Sequence, residues 1–228
     1  MLHHARRVSG LVAIFGLVVI GLAAPARAVL TPFTSRAVFA AAAGNTTLVT
    51  FENFASGTVI TNQLAPQGIA QVSGVDSSAT PRNVTVTSDT QLPFPMFTPG
   101  TLPSETNFLS VDMSAPAFAT GRITFGFPQV PKTAIGAFIA DGAPTGNFSI
   151  ELFNGANSLG SITVGPRTLP DSFVGVTSTQ PFTSAVFFAN STVDSWGLDN
   201  LEFNAVPEPA CMAGVLLGAM VMFGRRGR

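Results

Sequence analysis

The chain contains no tyrosine, and its histidines and its cysteine lie only near its two ends. His3 and His4 are among the first residues, and Cys211, the single cysteine, lies close to the last. The central part therefore lacks the side chains that Ser-His-Asp catalysis, Cys-His catalysis and ordinary zinc sites require. It also cannot form disulfide bonds, so outside the cell it must be held together by its core or by a bound ion.

Charged residues are scarce as well, at 10% of the chain against 46% hydrophobic residues. Residues 29–205 contain five basic and eleven acidic residues, which gives a formal net charge of −6. This acidity argues against nucleic acid as a partner, because such binding depends on cationic side chains that neutralise phosphates. Divalent cations suit the charge better.

The N-terminal region has the layout of a secretory signal peptide. Two arginines precede an uncharged apolar run at residues 8–24, which is followed by the helix-breaking Pro25. Ala26 and Ala28 then supply the small residues of a cleavage site, so cleavage is expected before Val29. The run is also long enough for a permanent membrane anchor, but the proline and the small-residue site favour removal.

The C-terminal region combines a proline-rich motif, a short apolar stretch and a basic tail. These are Pro207, Glu208 and Pro209, then residues 210–223, then Arg225, Arg226 and Arg228. The apolar stretch is shorter than the roughly 20 residues of an ordinary transmembrane helix, but it has two glycines four residues apart, a spacing common in such helices. The arginines would stay on the cytoplasmic side and act as a stop-transfer signal for an exported body.

This combination at residues 205–228 resembles the PEP-CTERM sorting signal of Gram-negative bacteria. In that family a membrane-embedded cysteine protease, exosortase, recognises the tail and cuts near the Pro-Glu-Pro motif. The resemblance implies that Pro207, Glu208 and Pro209 form the recognition site of exosortase. It also implies a precursor held transiently in the inner membrane and a mature protein at the cell surface or in the extracellular matrix.

The region between the two ends predicts one all-β domain. A helix is expected over residues 35–44, because alanine has the best helix propensity and Gly44 can end it. Ten or so short strands separated by turn residues indicate a β-sandwich of jelly-roll type, with a barrel as the alternative. The candidate strands are residues 47–51, 69–72, 84–87, 108–111, 123–127, 133–139, 148–153, 159–164, 172–176, 185–188 and 197–203. We expect three parts: a signal peptide (1–28), this domain (29–205) and a sorting segment with a transmembrane helix (206–228).

Two segments carry residues that resemble a calcium site. Glu52 ends the first predicted strand, and Asp199 and Asn200 lie in the last. The pair resembles jelly-roll carbohydrate-binding and galactose-binding-like domains, in which an early Phe-Glu and a late Asp-Asn flank a structural calcium ion. The resemblance implies that Glu52 and Asp199 are ligands and that Asn200 orients them, since calcium takes oxygen ligands. Alternatively, Glu52 is a solvated carboxylate and Asp199-Asn200 a turn.

Three further residues are candidates for contact with a glycan. Trp196, the only tryptophan, could stack on a sugar ring, or it could pack against the body near the end of the domain. Asp141 and Asn147 flank a turn-rich loop between two predicted strands. Such loops line ligand sites in jelly-roll binding domains, although a plain turn is the simpler interpretation.

The resulting hypothesis is an exported, non-catalytic module associated with exopolysaccharide or biofilm. The polysaccharide part follows from the family resemblance, since such sorting systems tend to accompany exopolysaccharide production. One alternative is a glycan hydrolase whose two carboxylates come from Glu52, Asp141, Asp194 and Asp199. Another is a structural surface protein that self-associates through the Pro-rich stretch at residues 92–103.

Overall fold

A computed structural model of the chain describes residues 27–76, 78–88, 106–111, 121–140, 147–164, 172–189 and 196–204. Several predictions fall outside these ranges: nearly all of the signal peptide, the stretch 92–103, Asp141, Asp194, and the sorting segment with Pro207, Glu208, Pro209, Arg225, Arg226 and Arg228. Within the ranges that are described, no helix has the length and hydrophobicity needed to cross a membrane.

The described chain folds mainly into strands. The strands are β1 (Leu30–Phe33), β2 (Thr46–Val49), β3 (Gln71–Val75), β4 (Pro81–Arg82), β5 (Val84–Ser88), β6 (Asn107–Val111), β7 (Arg122–Gly126), β8 (Lys132–Ala140), β9 (Phe148–Asn154), β10 (Asn157–Val164), β11 (Ser172–Phe182), β12 (Ser184–Ala189) and β13 (Gly197–Asn204). One α-helix, α1 (Arg36–Ala43), and a short 3₁₀ helix (Ala65–Gln67) accompany them.

The strands form two antiparallel sheets that pack as a β-sandwich. The seven-stranded sheet has the order β1-β11-β8-β13-β6-β5, with β2 also paired to β13. The six-stranded sheet has the order β10-β9-β12-β7-β3-β4. From β6 onward, every connection except the β9–β10 hairpin carries the chain from one sheet to the other. The sandwich prediction is confirmed, and the barrel alternative is wrong.

The space between the sheets is filled mainly by aliphatic side chains and phenylalanine. Alternate residues of each strand point inward, as a period of two requires. Phe125 and Phe187 of the six-stranded sheet pack edge to face, with ring centroids 5.8 Å apart. Phe127 reaches Phe203 of the opposite sheet at 5.2 Å. Because the chain has no tyrosine, phenylalanine supplies nearly all the aromatic volume of this core.

The helix α1 covers the outer face of the seven-stranded sheet. It begins after Ser35, whose side chain makes no capping hydrogen bond, and ends at Gly44 with φ of 74°. Phe39 is fully buried and packs on Phe173 of β11 at 5.2 Å. The Phe39 ring fits only because residue 175 is glycine: a Cβ added to Gly175 would lie 2.8 Å from this ring. The predicted helix is confirmed.

The outer face of the six-stranded sheet has a different character. Its side chains alternate with the buried core residues, and most are exposed or half-buried. No described helix packs on it. Its residues are Gln71, Ser73 and Val75 of β3, Arg122 and Thr124 of β7, Ser149, Glu151 and Phe153 of β9, Ser161 and Thr163 of β10, and Ser184, Val186 and Phe188 of β12. This face is rich in hydroxyls and poor in charge.

Candidate functional site

The predicted calcium residues lie where β13 exchanges one neighbouring strand for another. At its start, Gly197 and Leu198 pair with β6. From Leu201 onward, β13 pairs with β2 instead. Asp199 and Asn200 lie between the residues that pair with β6 and those that pair with β2. The early strand β2 and the last strand β13 are therefore neighbours. The resemblance implied that the first predicted strand lies beside the last one, and the pairing of β2 with β13 agrees with this expectation.

The opposite edge of β13 is irregular at the same residues. Asp199 pairs with Phe138 of β8 and Glu202 pairs with Gly136, so β13 has one residue more than its partner between these two pairs. Asn200 lies in this bulge with φ of 48°, in the left-handed region. Asparagine adopts this region more readily than most residues, which explains how the strand accommodates the bulge.

The bulge buries two polar side chains. Asp199 is fully buried, and its Oδ1 accepts a hydrogen bond from the backbone N–H of Asn200 at 2.6 Å. Among the described residues, Asn200 Oδ1 is the one buried side-chain polar atom that has no hydrogen-bond partner. Leaving a buried acceptor unsatisfied costs about 1–3 kcal/mol. A buried amide oxygen without a hydrogen-bond partner can serve as a ligand for a cation.

Glu52 accepts hydrogen bonds from the residues at the start of β6. Its Oε1 accepts hydrogen bonds from the backbone N–H groups of Thr106 at 3.1 Å and Asn107 at 2.8 Å. Asn107 in turn donates from Nδ2 to the carbonyl of Phe54 at 3.1 Å. Glu52 is thus half-buried and engaged, which differs from the alternative of a freely solvated carboxylate.

The donor chemistry at this junction fits calcium, which prefers oxygen ligands from carboxylates and amides. Asp199 and Asn200 offer a buried carboxylate and an unsatisfied amide oxygen. Glu52 follows β2, which pairs with β13, and accepts hydrogen bonds from the amides of Thr106 and Asn107 at the start of β6. No group of three or more His, Cys, Asp or Glu side chains with metal-ligand spacing occurs in the ranges that are described.

Two of the glycan candidates, Trp196 and Asn147, lie at one end of the sandwich. Trp196 is 4% exposed, donates from its indole nitrogen to the carbonyl of Gly121 at 3.2 Å, and packs edge to face on Phe148 at 4.8 Å. To stack on a sugar, this ring would have to leave the core. Asn147 is exposed and immediately precedes Phe148. Asp141 lies outside the described residues but directly follows β8.

The acidic side chains of the described sandwich are all engaged with the chain itself. Besides Glu52 and Asp199, Glu202 forms an ion pair with Arg36 of α1, and Glu151 accepts a hydrogen bond from Ser158 Oγ at 2.9 Å. Each of these carboxylates therefore has a partner within the chain.

The fifth described acidic residue, Asp76, organises the turn between β3 and β4. It accepts backbone hydrogen bonds from Ser78 and Thr80, both at 2.9 Å, and binds the Arg82 guanidinium with a shortest distance of 2.8 Å. These contacts hold the pKa of Asp76 below its usual value, the backbone hydrogen bond from Thr80 having the largest effect.

Two basic residues that the sequence did not single out have unusual surroundings. Arg122 is exposed, and its guanidinium lies 4.6 Å from the ring centroid of Phe188 on the next strand. Lys132 is 4% exposed, with Nζ 5.1 Å from the ring centroid of Phe203 and 5.6 Å from that of Phe127. Burial lowers the pKa of Lys132. No local pattern could have revealed these contacts, because the paired residues are distant in the chain.

No family model matches the chain, and no curated protein matches it. Solved structures of similar shape include an adhesin domain of Lys-gingipain, at 15% identity and a TM-score of 0.47, covering 70% of this chain and 99% of that chain. A second is the C-terminal CBM6 of LamC from Zobellia galactanivorans, at 11% identity and a TM-score of 0.29, covering 70% and 99%.

A third is a carbohydrate-binding module of lichenase 5A from Cellvibrio mixtus in complex with cellotriose. It has 11% identity and a TM-score of 0.32, with 67% of this chain and 100% of that chain covered. At TM-scores below 0.5, these similarities are too distant to indicate a function.

Proposed function

We propose that the chain is an exported, non-catalytic β-sandwich that exosortase processes and that associates with exopolysaccharide at the cell surface or in the extracellular matrix. Its parts are a signal peptide (1–28), the sandwich domain (29–205) and a sorting segment with a transmembrane helix (206–228). The observation that carries the non-catalytic part is the engagement of every described carboxylate within the fold.

A glycan hydrolase would use its carboxylates differently. It needs two carboxyl groups facing the substrate, about 5 Å or about 6.5–9.5 Å apart. Glu52 and Asp199, two of the four residues considered for that role, instead accept hydrogen bonds from backbone amides of the sandwich. This favours a binding or structural module over the hydrolase.

The two ends of the sequence support export and sorting. The N-terminal region has the charge, hydrophobicity and cleavage-site pattern of a signal peptide, and the C-terminal region has the motif, apolar run and arginines of a stop-transfer tail.

The outer face of the six-stranded sheet supports the association with polysaccharide. Sugars are bound by hydrogen bonds to their hydroxyls and by contact of their apolar faces with aromatic rings. This face presents serine and threonine hydroxyls together with the half-buried rings of Phe153 and Phe188. A weakly charged surface of this composition fits an extended glycan chain.

A calcium ion held by Asp199 and Asn200, with Glu52 at its side, would complete the module. When bound, the ion would supply positive charge and coordination to a buried carboxylate and to an amide oxygen that has no hydrogen-bond partner. It would link β13 to the segments that end β2 and begin β6, and so replace the disulfide that this body cannot form.

The sorting step is tested by expressing the full chain in cells with and without an exosortase. Mass spectrometry of the product should show loss of the tail only where the protease is present. The double variant Pro207→Ala/Pro209→Ala should remain uncut, whereas the matched Pro93→Ala/Pro95→Ala variant should be processed normally. Processing that ignores both the protease and the motif would contradict this part of the proposal.

The binding function is tested with the processed protein recovered from the producing cells and with the exopolysaccharide of the same cells. Co-sedimentation should retain the protein, and the polysaccharide should keep its chain length during incubation. Failure to bind would remove the polysaccharide association. Shortening of the glycan would instead favour the hydrolase, and concentration-dependent light scattering without glycan would favour a self-associating surface protein.

A further inference from the structure

We propose that the outer face of the six-stranded sheet binds an acidic polysaccharide, with Arg122 pairing to the carboxylate of a uronate residue beside Phe188. This inference rests on the proposed association with exopolysaccharide and specifies the chemical class of the glycan. The geometry of Arg122, the charge balance of the domain and the composition of the surrounding face each contribute to it.

Arg122 and Phe188 are directly opposite each other on paired strands. The register of β12 and β7 aligns the two residues, and the guanidinium lies over the phenyl ring at 4.6 Å. This stacking uses the flat face of the guanidinium and leaves its in-plane N–H donors available. A planar carboxylate can then accept two parallel hydrogen bonds from the edge of the group.

The charge balance of the sandwich makes this arginine stand out. Arg36 pairs with Glu202, Arg82 pairs with Asp76, and Lys132 is buried. Within the described sandwich, Arg122 is thus the surface cation that no carboxylate neutralises. In a domain of net charge −6, an unpaired cation on an open sheet face is complementary to an anionic group on a ligand.

The presence of one unpaired arginine on this face also indicates which class of anionic polymer it can bind. Nucleic acid places a phosphate at every nucleotide and is bound by several cationic side chains. A polysaccharide in which uronates alternate with neutral sugars presents isolated carboxylates, and one arginine among hydroxyls fits that spacing. The neighbours of Arg122 on the face are Thr124, Ser73 and Val75, which add no charge.

The rest of the face extends this site along the sheet. Phe188 is opposite Ser149 of β9, and Phe153 lies four residues further along β9, about 13 Å away at the rise of a strand. Glu151 lies between those rows and is held by Ser158. Its negative charge would repel a uronate at that position, so the carboxylate of the glycan should be directed toward Arg122.

The test uses the processed protein and hyaluronate, in which a uronate alternates with a neutral sugar, with carboxyl-reduced hyaluronate as the neutral counterpart. The protein should bind hyaluronate more tightly than the reduced polymer, and added salt should weaken only the former. Arg122→Gln should weaken hyaluronate binding roughly ten- to hundredfold, as expected for the loss of a charge-assisted pair, and leave the reduced polymer unaffected.

Arg82→Gln is the matched control, because it removes the same charge from another surface site. It should leave hyaluronate binding within about twofold of the unchanged protein, since its guanidinium is already paired. Equal losses in the two variants, equal affinity for the two polymers, or no binding of hyaluronate would each overturn the inference. Arg122 is exposed, so thermal unfolding of Arg122→Gln should match that of the unchanged protein.

Binding to the exopolysaccharide of the producing cells distinguishes failure of this inference from failure of the proposed function on which it rests. If the protein binds that polymer and Arg122→Gln does so equally well, the association stands and the role of Arg122 is wrong. If the protein does not bind that polymer, the association itself is wrong. A loss restricted to Arg122→Gln supports both.

Discussion

The backbone N–H of Asn200 donates a hydrogen bond to Asp199 Oδ1 at 2.6 Å, while Oδ1 of Asn200 itself has no hydrogen-bond partner. The two residues lie at the bulge of β13, where Asn200 has a left-handed backbone conformation and both side chains are buried. A buried amide oxygen without a hydrogen-bond partner is costly, and a bound cation would satisfy it, which motivates the first prediction.

Calcium should raise the melting temperature of the processed protein, and a chelator should reverse the increase, because the ion binds the folded state alone. Differential scanning calorimetry measures this shift. Asn200→Gly keeps the left-handed backbone accessible but removes the amide oxygen, and it should weaken the response to calcium. Asn147→Gly, at an exposed position, is the matched control. A melting temperature that calcium and chelator leave unchanged would remove the ion from the proposal.

Glu52→Ala should destabilise the protein by about 1–3 kcal/mol in the presence of a chelator, because the N–H groups of Thr106 and Asn107 lose their shared acceptor. Urea-induced unfolding measures this loss. Glu151→Ala also removes a carboxylate that accepts a hydrogen bond, but at an exposed contact with Ser158, and should cost under about 1 kcal/mol. Equal losses would show that Glu52 does not anchor β6.

Lys132 should make the stability of the protein rise with pH in the alkaline range. Burial lowers its pKa in the folded state below 10.5, so between the folded and unfolded pKa values the unfolded chain holds more protons than the native protein. Stability therefore increases as pH rises through that window, and Lys132→Met should abolish the increase and be more stable at neutral pH.

The composition of the chain makes this measurement clean. Lys132 is the only lysine, no tyrosine is present, and the single cysteine lies in the predicted sorting segment. The matched variant Arg122→Met removes a cation from the surface and should retain the alkaline increase. Denaturant unfolding between neutral pH and pH 10.5 provides the comparison. An identical pH profile for the unchanged protein and Lys132→Met would contradict the prediction.

Asp76 should contribute stability that disappears in acid. Its folded-state pKa lies below 3.8, with the backbone hydrogen bond from Thr80 as the main cause. The contribution is therefore complete above the unfolded value and is lost as pH falls through the folded one. Asp76→Asn should be less stable than the unchanged protein at neutral pH, and the difference should shrink below pH 3.8. A difference independent of pH would contradict this.

Local patterns were sufficient to predict most elements of the fold. Each of the eleven strands expected from alternation and turn residues is present, and the alanine-rich helix lies within the predicted range. The two strands that were missed, Leu30–Phe33 and Pro81–Arg82, are short, contain Pro32 and Pro81, and lie at sheet edges. Proline argues against a strand in sequence-based reasoning, but it is tolerated at an edge, where its missing N–H leaves no bond unmade.

Tertiary structure decided how distant residues meet, because side-chain contacts across strands depend on register and on which sheet a strand joins. The sequence placed Trp196 near the end of the domain, but only the packing shows its indole inside the core against Phe148. The stacking of Arg122 on Phe188 depends on the pairing of β7 with β12. Composition and local periodicity thus determined the class of the fold. Long-range strand pairing determined where the guanidinium of Arg122 and the unsatisfied amide oxygen of Asn200 lie.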